Sequence, residues 1–210
     1  IKFQLIFKNI GSTAILMDVN NGQILSMVSL PDFNLNERNT ITDLNYINRA
    51  TKGVYELGSV FKTFTIAAGI DAGLIKPETE FLDLKKKLIC GKSTITEYDN
   101  KILSDLTAED ILIKSGNIGS VRIGQMLEIK GLKSFLEKIG VLGKIDFDIE
   151  EVGQPIPFKW GKCKLATVSF GHGITTTPLQ LAKAYGIISN GGFEIKPTLI
   201  KNKKENNKKR

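Results

Sequence analysis

Residues 58–73 read Gly-Ser-Val-Phe-Lys-Thr-Phe-Thr-Ile-Ala-Ala-Gly-Ile-Asp-Ala-Gly. Apolar side chains fall on nearly every side of this segment, with Ala67 and Ala68 inside it and Gly73 just past its end. That pattern predicts a buried helix that begins at Gly58-Ser59 and is stopped by a glycine at C′. A helix apolar all round must be enclosed by other elements, so the flanking sequence has to supply them.

Upstream, Thr13 to Val19 is apolar and β-branched, Asn20-Asn21-Gly22 tolerates positive φ, and Gln23 to Ser29 forms a second run, which together predict a β-hairpin. Pro31-Asp32 closes it, and Asn34 to Asn48 reads mostly as loop. Downstream, Thr107 with Asp110 has the form of a capping box opening a short helix to about Lys114. Ile118 to Leu127 and Leu132 to Ile139 read as two more helices. Thr177-Pro178 with Gln180 opens a last helix that ends at Asn190-Gly191-Gly192. A hairpin followed by a helical middle and a terminal helix predicts an α+β domain rather than alternating βαβ units.

The 210 residues are 41% hydrophobic and 24% charged, which fits a globular domain and excludes disorder or a collagen-like repeat. The formal charge is +7, but residues 201–210 hold five Lys and one Arg against Glu205, a net +5 in a polar tail expected to be disordered. The body is therefore near neutral, and no nucleic-acid partner is expected. No apolar run approaches the ~18 residues a membrane helix needs, so any anchor is expected upstream. Cys90 and Cys163 lie far apart with no CxxC and a single His172, which excludes a structural zinc site; two thiols leave the redox compartment undecided.

Ser59 and Lys62 form the only Ser-x-x-Lys pair in the chain. Three residues along a helix put them on one face, where a hydroxyl and an amine can share a proton. Serine becomes a useful nucleophile when a neighbouring base takes its proton, and burial together with the positive helix end favours the neutral amine. Taken by spacing alone, the pair reads more simply as an N-capping serine and a solvated lysine. A capping serine, however, prefers Glu or Gln three positions on, and the helix dipole opposes a lysine there.

Around this pair, Asn48-Arg49-Ala50-Thr51 and Tyr55-Glu56-Leu57-Gly58-Ser59-Val60-Phe61-Lys62 resemble the nucleophile region of class B penicillin-binding proteins, the cell-wall D,D-transpeptidases, with Leu57 in place of the usual proline. The resemblance continues through Met17-Asp18-Val19-Asn20-Asn21-Gly22-Gln23-Ile24-Leu25, Leu30-Pro31-Asp32-Phe33-Asn34, Gly153-Gln154-Pro155, Gly171-His172-Gly173-Ile174 and Thr177-Pro178-Leu179-Gln180-Leu181. Together these blocks resemble the septal, cell-division type. The family's second motif, Ser-x-Asn, is matched by Ser115-Gly116-Asn117, which by itself would also suit a helix-breaking polar turn. The resemblance implies that Ser59 is the nucleophile, Lys62 its base, Ser115 a proton relay and Asn117 a donor to the substrate's peptide group. The third motif, Lys-Ser/Thr-Gly on a strand, is matched in letters only by Lys114-Ser115-Gly116, which follows a capped helix. No copy follows Gly192, and the expectation is a transpeptidase domain over 1–200 truncated before that motif, with a helical subdomain at about 74–164.

The fold implied is that of penicillin-binding transpeptidases and serine β-lactamases, an antiparallel sheet with flanking helices and the C-terminal strands missing. The implied substrates are peptidoglycan stem peptides, with β-lactams as covalent inhibitors and other cell-division proteins as partners, at the periplasmic face of the inner membrane. Neither a metal nor an organic cofactor is implied. Two rivals are a serine β-lactamase or β-lactam sensor, and a non-catalytic remnant acting as a scaffold. His172 with Asp18 or Asp83 would be a weak Ser-His-Asp triad, since Gly171-His172-Gly173 is equally a turn. Gly91-Lys92-Ser93 is not a phosphate loop, because Lys86 stands where the first glycine is required. Phe158, Trp160 and Phe170 read as core or cleft-wall aromatics.

Overall fold

The structure, a computed structural model, describes residues 9–34, 36–37, 46–91, 93–99 and 101–201. Most of the expected loop at Asn34 to Asn48, and the basic tail after Lys201, lie outside the described residues. Two compact units share the chain. One is drawn from Ile1–Tyr55, Ile139–Ile156 and Thr175–Arg210, the other from Glu56–Lys138 and Pro157–Ile174.

In the first unit, strands β1 (Ser12–Met17) and β2 (Ile24–Leu30) pair antiparallel, Ser12 opposite Leu30, with a register shift between Leu16 and Met17. The expected hairpin is present, closed by a six-residue turn. Asp18 accepts hydrogen bonds from the Asn20 backbone N–H and the Asn21 side chain, and only Gly22 takes a positive φ, of 77°. A Cβ at Gly22 would sit 2.3 Å from the Lys196 carbonyl, so this glycine also lets residues 196–198 run against the hairpin. Ile24 N–H donates to Thr198 there. Ile24, Ile145, Val152 and Leu179 form this unit's core. Leu179 belongs to the terminal helix (Pro178–Ser189), whose capping box is formed as expected: Thr177 Oγ1 accepts from Gln180 N–H and Gln180 Oε1 accepts from Thr177 N–H, each at 3.1 Å.

In the second unit, Gly58–Phe61 is a 3₁₀ turn that runs into helix α1 (Lys62–Asp71). The expected helix is present with its stop, Gly73, at φ 66°. Its start is not the serine cap that spacing alone would suggest. Gly58 is left-handed at φ 64°, Leu57 holds the cap position, and no side chain caps the turn, so Ser59 is not an N-cap. The fully buried Phe61 and Phe64 meet edge to face with ring centroids 5.2 Å apart.

Helix α2 (Ala108–Ile113) carries the expected Thr107–Asp110 capping box. Helix α3 spans Asn117–Lys138, and Glu128 breaks its course at φ 57°, ψ 176°. This is the expected pair of helices, joined without a loop. Their inner faces place Ile118, Val121, Ile123, Leu132 and Leu136 in the core. Gly69 of α1 and Gly119 of α3 permit close packing, since a Cβ at Gly119 would stand 2.4 Å from Ile111.

Two short antiparallel ladders complete this unit: β3 (Glu80–Phe81) with β6 (Leu106–Thr107), and β4 (Lys87–Cys90) with β5 (Ser93–Thr96). The antiparallel strands thus form three two-stranded sheets among the described residues. Gly91, at φ 61°, turns the β4–β5 hairpin where a phosphate loop had been set aside.

Cys90 at the end of β4 is disulfide-bonded to Cys163 in helix α4 (Lys162–Val168), with Cα atoms 5.3 Å apart. Spacing alone does not reveal this pairing, since the partners lie 73 residues apart. A cross-link closing so long a loop removes many conformations from the unfolded chain. Replacing both cysteines by serine is expected to lower the unfolding free energy by about 2–4 kcal/mol, seen as a lower urea midpoint against the oxidised protein. An unchanged midpoint would show that the bond closes nothing the unfolded chain explores.

Candidate active site

The 3₁₀ geometry sets the relation of Ser59 to Lys62. In such a turn, residues i and i+3 eclipse one another. Here the Lys62 backbone N–H donates to the Ser59 carbonyl, closing that turn. Ser59 is exposed, whereas Lys62 is 1% exposed. Gly171 packs against the backbone just before the serine, and a Cβ there would fall 1.9 Å from the Gly58 carbonyl oxygen. With φ at 86° as well, position 171 accepts glycine for two independent reasons.

Lys62 Nζ donates to the Ser115 hydroxyl at 2.9 Å and to the Ser115 carbonyl at 2.5 Å. Burial pushes the Lys62 ammonium down from 10.5 to about 8, against an opposing pull from the Glu97 carboxylate. About a tenth of the side chain is therefore neutral at pH 7.

Ser115 follows α2 in a left-handed conformation at φ 54°, and Asn117 is the first residue of α3. Both Ser and Asn tolerate tight polar turns, and this turn reverses the chain between two helices. Lys114, the residue before, pairs with Asp110 at 3.1 Å on a helix end; the letters Lys114-Ser115-Gly116 therefore do not lie on a strand.

Ser59, Ser115 and Asn117 line one cleft of about 500 Å³, all within the second unit. Lys62 adjoins it through Ser115. The four residues singled out from sequence are thus brought together.

Other residues line the cleft as well. Tyr98, Asp99 and Ile102, which sequence reasoning missed, come from the segment after β5, and Phe170 and Gly171 from the segment after α4. Phe170 is a cleft-wall aromatic, while Phe158 and Trp160 are half-buried and in contact with each other at 5.0 Å. Glu56 lines the cleft too, accepting from Gly173 N–H at 3.1 Å and facing His172 Nδ1 at 3.3 Å. The acidic neighbour of His172 is thus Glu56, and Asp83 is instead engaged at its backbone N–H by Asp105. His172 is 67% exposed with its ring parallel to Phe170, which suits a rim residue rather than an enclosed base.

One further residue touches the Ser115–Asn117 turn. Glu97 Oε2 accepts from Asn117 N–H at 2.6 Å, Glu97 Oε1 accepts from Ile118 N–H at 2.8 Å, and Thr96 O accepts from Asn117 Nδ2 at 2.8 Å. Nothing in the local sequence marks Glu97, because it reaches the turn only through the β4–β5 hairpin.

The family described as penicillin binding protein transpeptidase domain matches residues 12–210. A probable peptidoglycan D,D-transpeptidase FtsI of Caulobacter vibrioides is 33% identical over 192 residues, covering 91% of this chain and 32% of the relative. The peptidoglycan D,D-transpeptidase FtsI of Escherichia coli K12 is 30% identical over 186 residues, 86% of this chain and 31% of the relative. The chain therefore spans about a third of the length of these curated relatives. Among solved structures, the transpeptidase domain of Burkholderia pseudomallei penicillin-binding protein 3 superposes with a TM-score of 0.82 at 23% identity, over 98% of this chain and 58% of that one. A Burkholderia ambifaria protein described as a peptidoglycan glycosyltransferase gives a TM-score of 0.84, also at 23% identity, over 98% of this chain and 61% of that one. The shared fold is thus that of penicillin-binding transpeptidase domains.

Proposed function

The chain belongs to the penicillin-binding protein transpeptidase domain family, and from that premise we propose that it carries the acyl-transfer site of a septal, class B peptidoglycan D,D-transpeptidase. The observation that carries this reading is the buried Lys62, with its Nζ donating to the Ser115 hydroxyl and carbonyl oxygens, three residues after an exposed serine. The names of the relatives support the cell-division assignment.

The reaction then runs as follows. Neutral Lys62 takes the Ser59 hydroxyl proton as Oγ attacks the carbonyl between the two terminal D-alanines of a stem peptide. Two of the nitrogen's hydrogen-bonding positions are committed to Ser115, and the third receives this proton. The tetrahedral adduct collapses, the C–N bond breaks, and the proton passes through Lys62 and Ser115 to the leaving D-alanine amine. An ester on Ser59 remains. The amine of a neighbouring stem attacks that ester and loses its proton to Lys62, and Ser59 departs with a proton as the cross-link forms. Asn117 holds the stem-peptide amide in the cleft. A β-lactam enters by the same attack, with its ring opening in place of D-alanine release.

The Cys90–Cys163 disulfide supports an oxidising compartment, and we place the protein on the periplasmic face of the inner membrane, among other division proteins. A chromogenic β-lactam in excess tests the reaction: we expect one stoichiometric burst per chain followed by a flat trace. Sustained turnover would make the protein a β-lactamase, and no burst at all would remove it from the acylating enzymes.

A further inference from the structure

We propose that Glu97 is a positioning residue for this acyl-transfer site, its two carboxylate oxygens fixing the Ser115-Gly116-Asn117 turn so that Ser115 meets Lys62. The proposal rests on the transpeptidase reading for its consequence and on the geometry for its substance.

The Ser115–Asn117 turn needs an external restraint. Ser115 sits at φ 54°, where a side chain other than glycine is disfavoured, and the turn ends at the start of α3, where backbone N–H groups lack intrahelical partners. Glu97 supplies both remedies. Each of its oxygens accepts one backbone N–H, from Asn117 at 2.6 Å and from Ile118 at 2.8 Å, so the carboxylate spans the first two residues of the helix. A negative charge at this end is also favoured by the helix dipole. The preceding residue adds a third tie through Thr96 O and Asn117 Nδ2 at 2.8 Å. Residues 96 and 97 together therefore clamp the turn from outside, and the opposite end of the same hairpin is fastened at Cys90.

The clamp reaches Lys62 in two ways. Ser115 presents its hydroxyl and its carbonyl to Lys62 Nζ, and both would move with the turn. Glu97 also acts through space, since its charge holds the Lys62 proton more tightly than burial alone would. The other titratable groups that line the cleft are Glu56, Tyr98, Asp99, Lys114 and His172. They are common to the wild type and every variant below, so differences between proteins report Glu97.

The test uses the full 210-residue chain with E97Q and E97A. The titration of Lys62 Nζ is followed by NMR, together with hydrogen exchange at the Asn117 and Ile118 amides and the rate of acylation by a fluorescent penicillin. Loss of one charge near a buried amine is expected to lower the Lys62 midpoint by roughly half a pH unit in E97Q. E97A is expected to lose exchange protection at both amides and to acylate at least about tenfold more slowly, the scale of losing a charge-assisted hydrogen bond. E97Q, which keeps the volume and one acceptor oxygen, should restore part of that rate. Should E97A fail to fold, the Lys62 midpoint and amide protection of E97Q decide the matter. A Lys62 midpoint that does not move, with amide protection and acylation within twofold of wild type, would overturn the proposal. Wild-type protein that never acylates would instead overturn the transpeptidase reading, and the titration and exchange arms, which need no penicillin, would still decide the role of Glu97.

Discussion

Ser59→Ala is expected to abolish covalent labelling by a fluorescent penicillin. In the proposed reaction the ester forms on Oγ, and the substitution removes that atom while leaving its surroundings intact. Ser59 is exposed, and no side chain caps the 3₁₀ turn that holds it, so the usual cost of about 1 kcal/mol for deleting a helix cap does not arise. Stability is expected to stay within about 0.5 kcal/mol of wild type, as for surface substitutions generally. The mutant therefore serves as a folded control: a superimposable thermal melt with no labelled band is the expected pair of results. Labelling equal to wild type would move the nucleophile to another residue.

Substitution of Lys62 should have the second largest effect, and its signature lies in pH. A general base typically contributes about 10²–10⁴ in rate, so Lys62→Met, neutral and of similar volume, should slow acylation by that factor. Wild-type acylation should rise about tenfold per pH unit below the Lys62 midpoint near 8 and level off above it, because the proposed reaction draws on the unprotonated amine. Lys62→Met should lose that inflection and keep a small residual rate that climbs at high pH. The two proteins must be compared at several pH values, since only the shape separates a lost base from a disturbed cleft. An unchanged rate and profile would make Lys62 a buried cation with no part in the chemistry.

Much of this architecture could be read from the sequence where its causes are local. The Thr107–Asp110 and Thr177–Gln180 boxes lie within three residues and need no tertiary information, and both formed. The β1–β2 hairpin is as local, though its turn is set by Asp18 side-chain bonds as much as by Gly22. Ser59 is legible as a helix-start residue, and the capping role that spacing alone would offer it is absent because the left-handed Gly58 moves the cap to Leu57.

The rest depends on distant parts of the chain. β3 and β6 pair through two residues each, Glu80 with Thr107 and Phe81 with Leu106, too little sequence to carry a strand pattern. Cys90 with Cys163, and Glu97 with Asn117, become partners only once the β4–β5 hairpin is folded. Ser115 and Asn117 stood out through family likeness, and their closeness to Lys62 needed the structure.

The buried Lys62 also sets a slope in the folding equilibrium. Its proton leaves the folded chain at about pH 8 but the unfolded chain near 10.5, so between those values the unfolded state binds more protons. The Lys62 contribution to the unfolding free energy therefore rises with pH across that window, and below about pH 8 the charged amine imposes a constant cost on the native state. Asp148, held low by Thr198 and the Leu199 backbone N–H, works in the opposite range: its contribution is present above the ordinary carboxylate value and is lost as acid is added. For Lys62 alone the native state is favoured most where the amine is neutral, so the availability of the proposed base and the amine's own contribution to the fold increase together across that window. Lys196, whose value is raised by its pairing with Asp146, works the other way and loses its contribution as alkali is added.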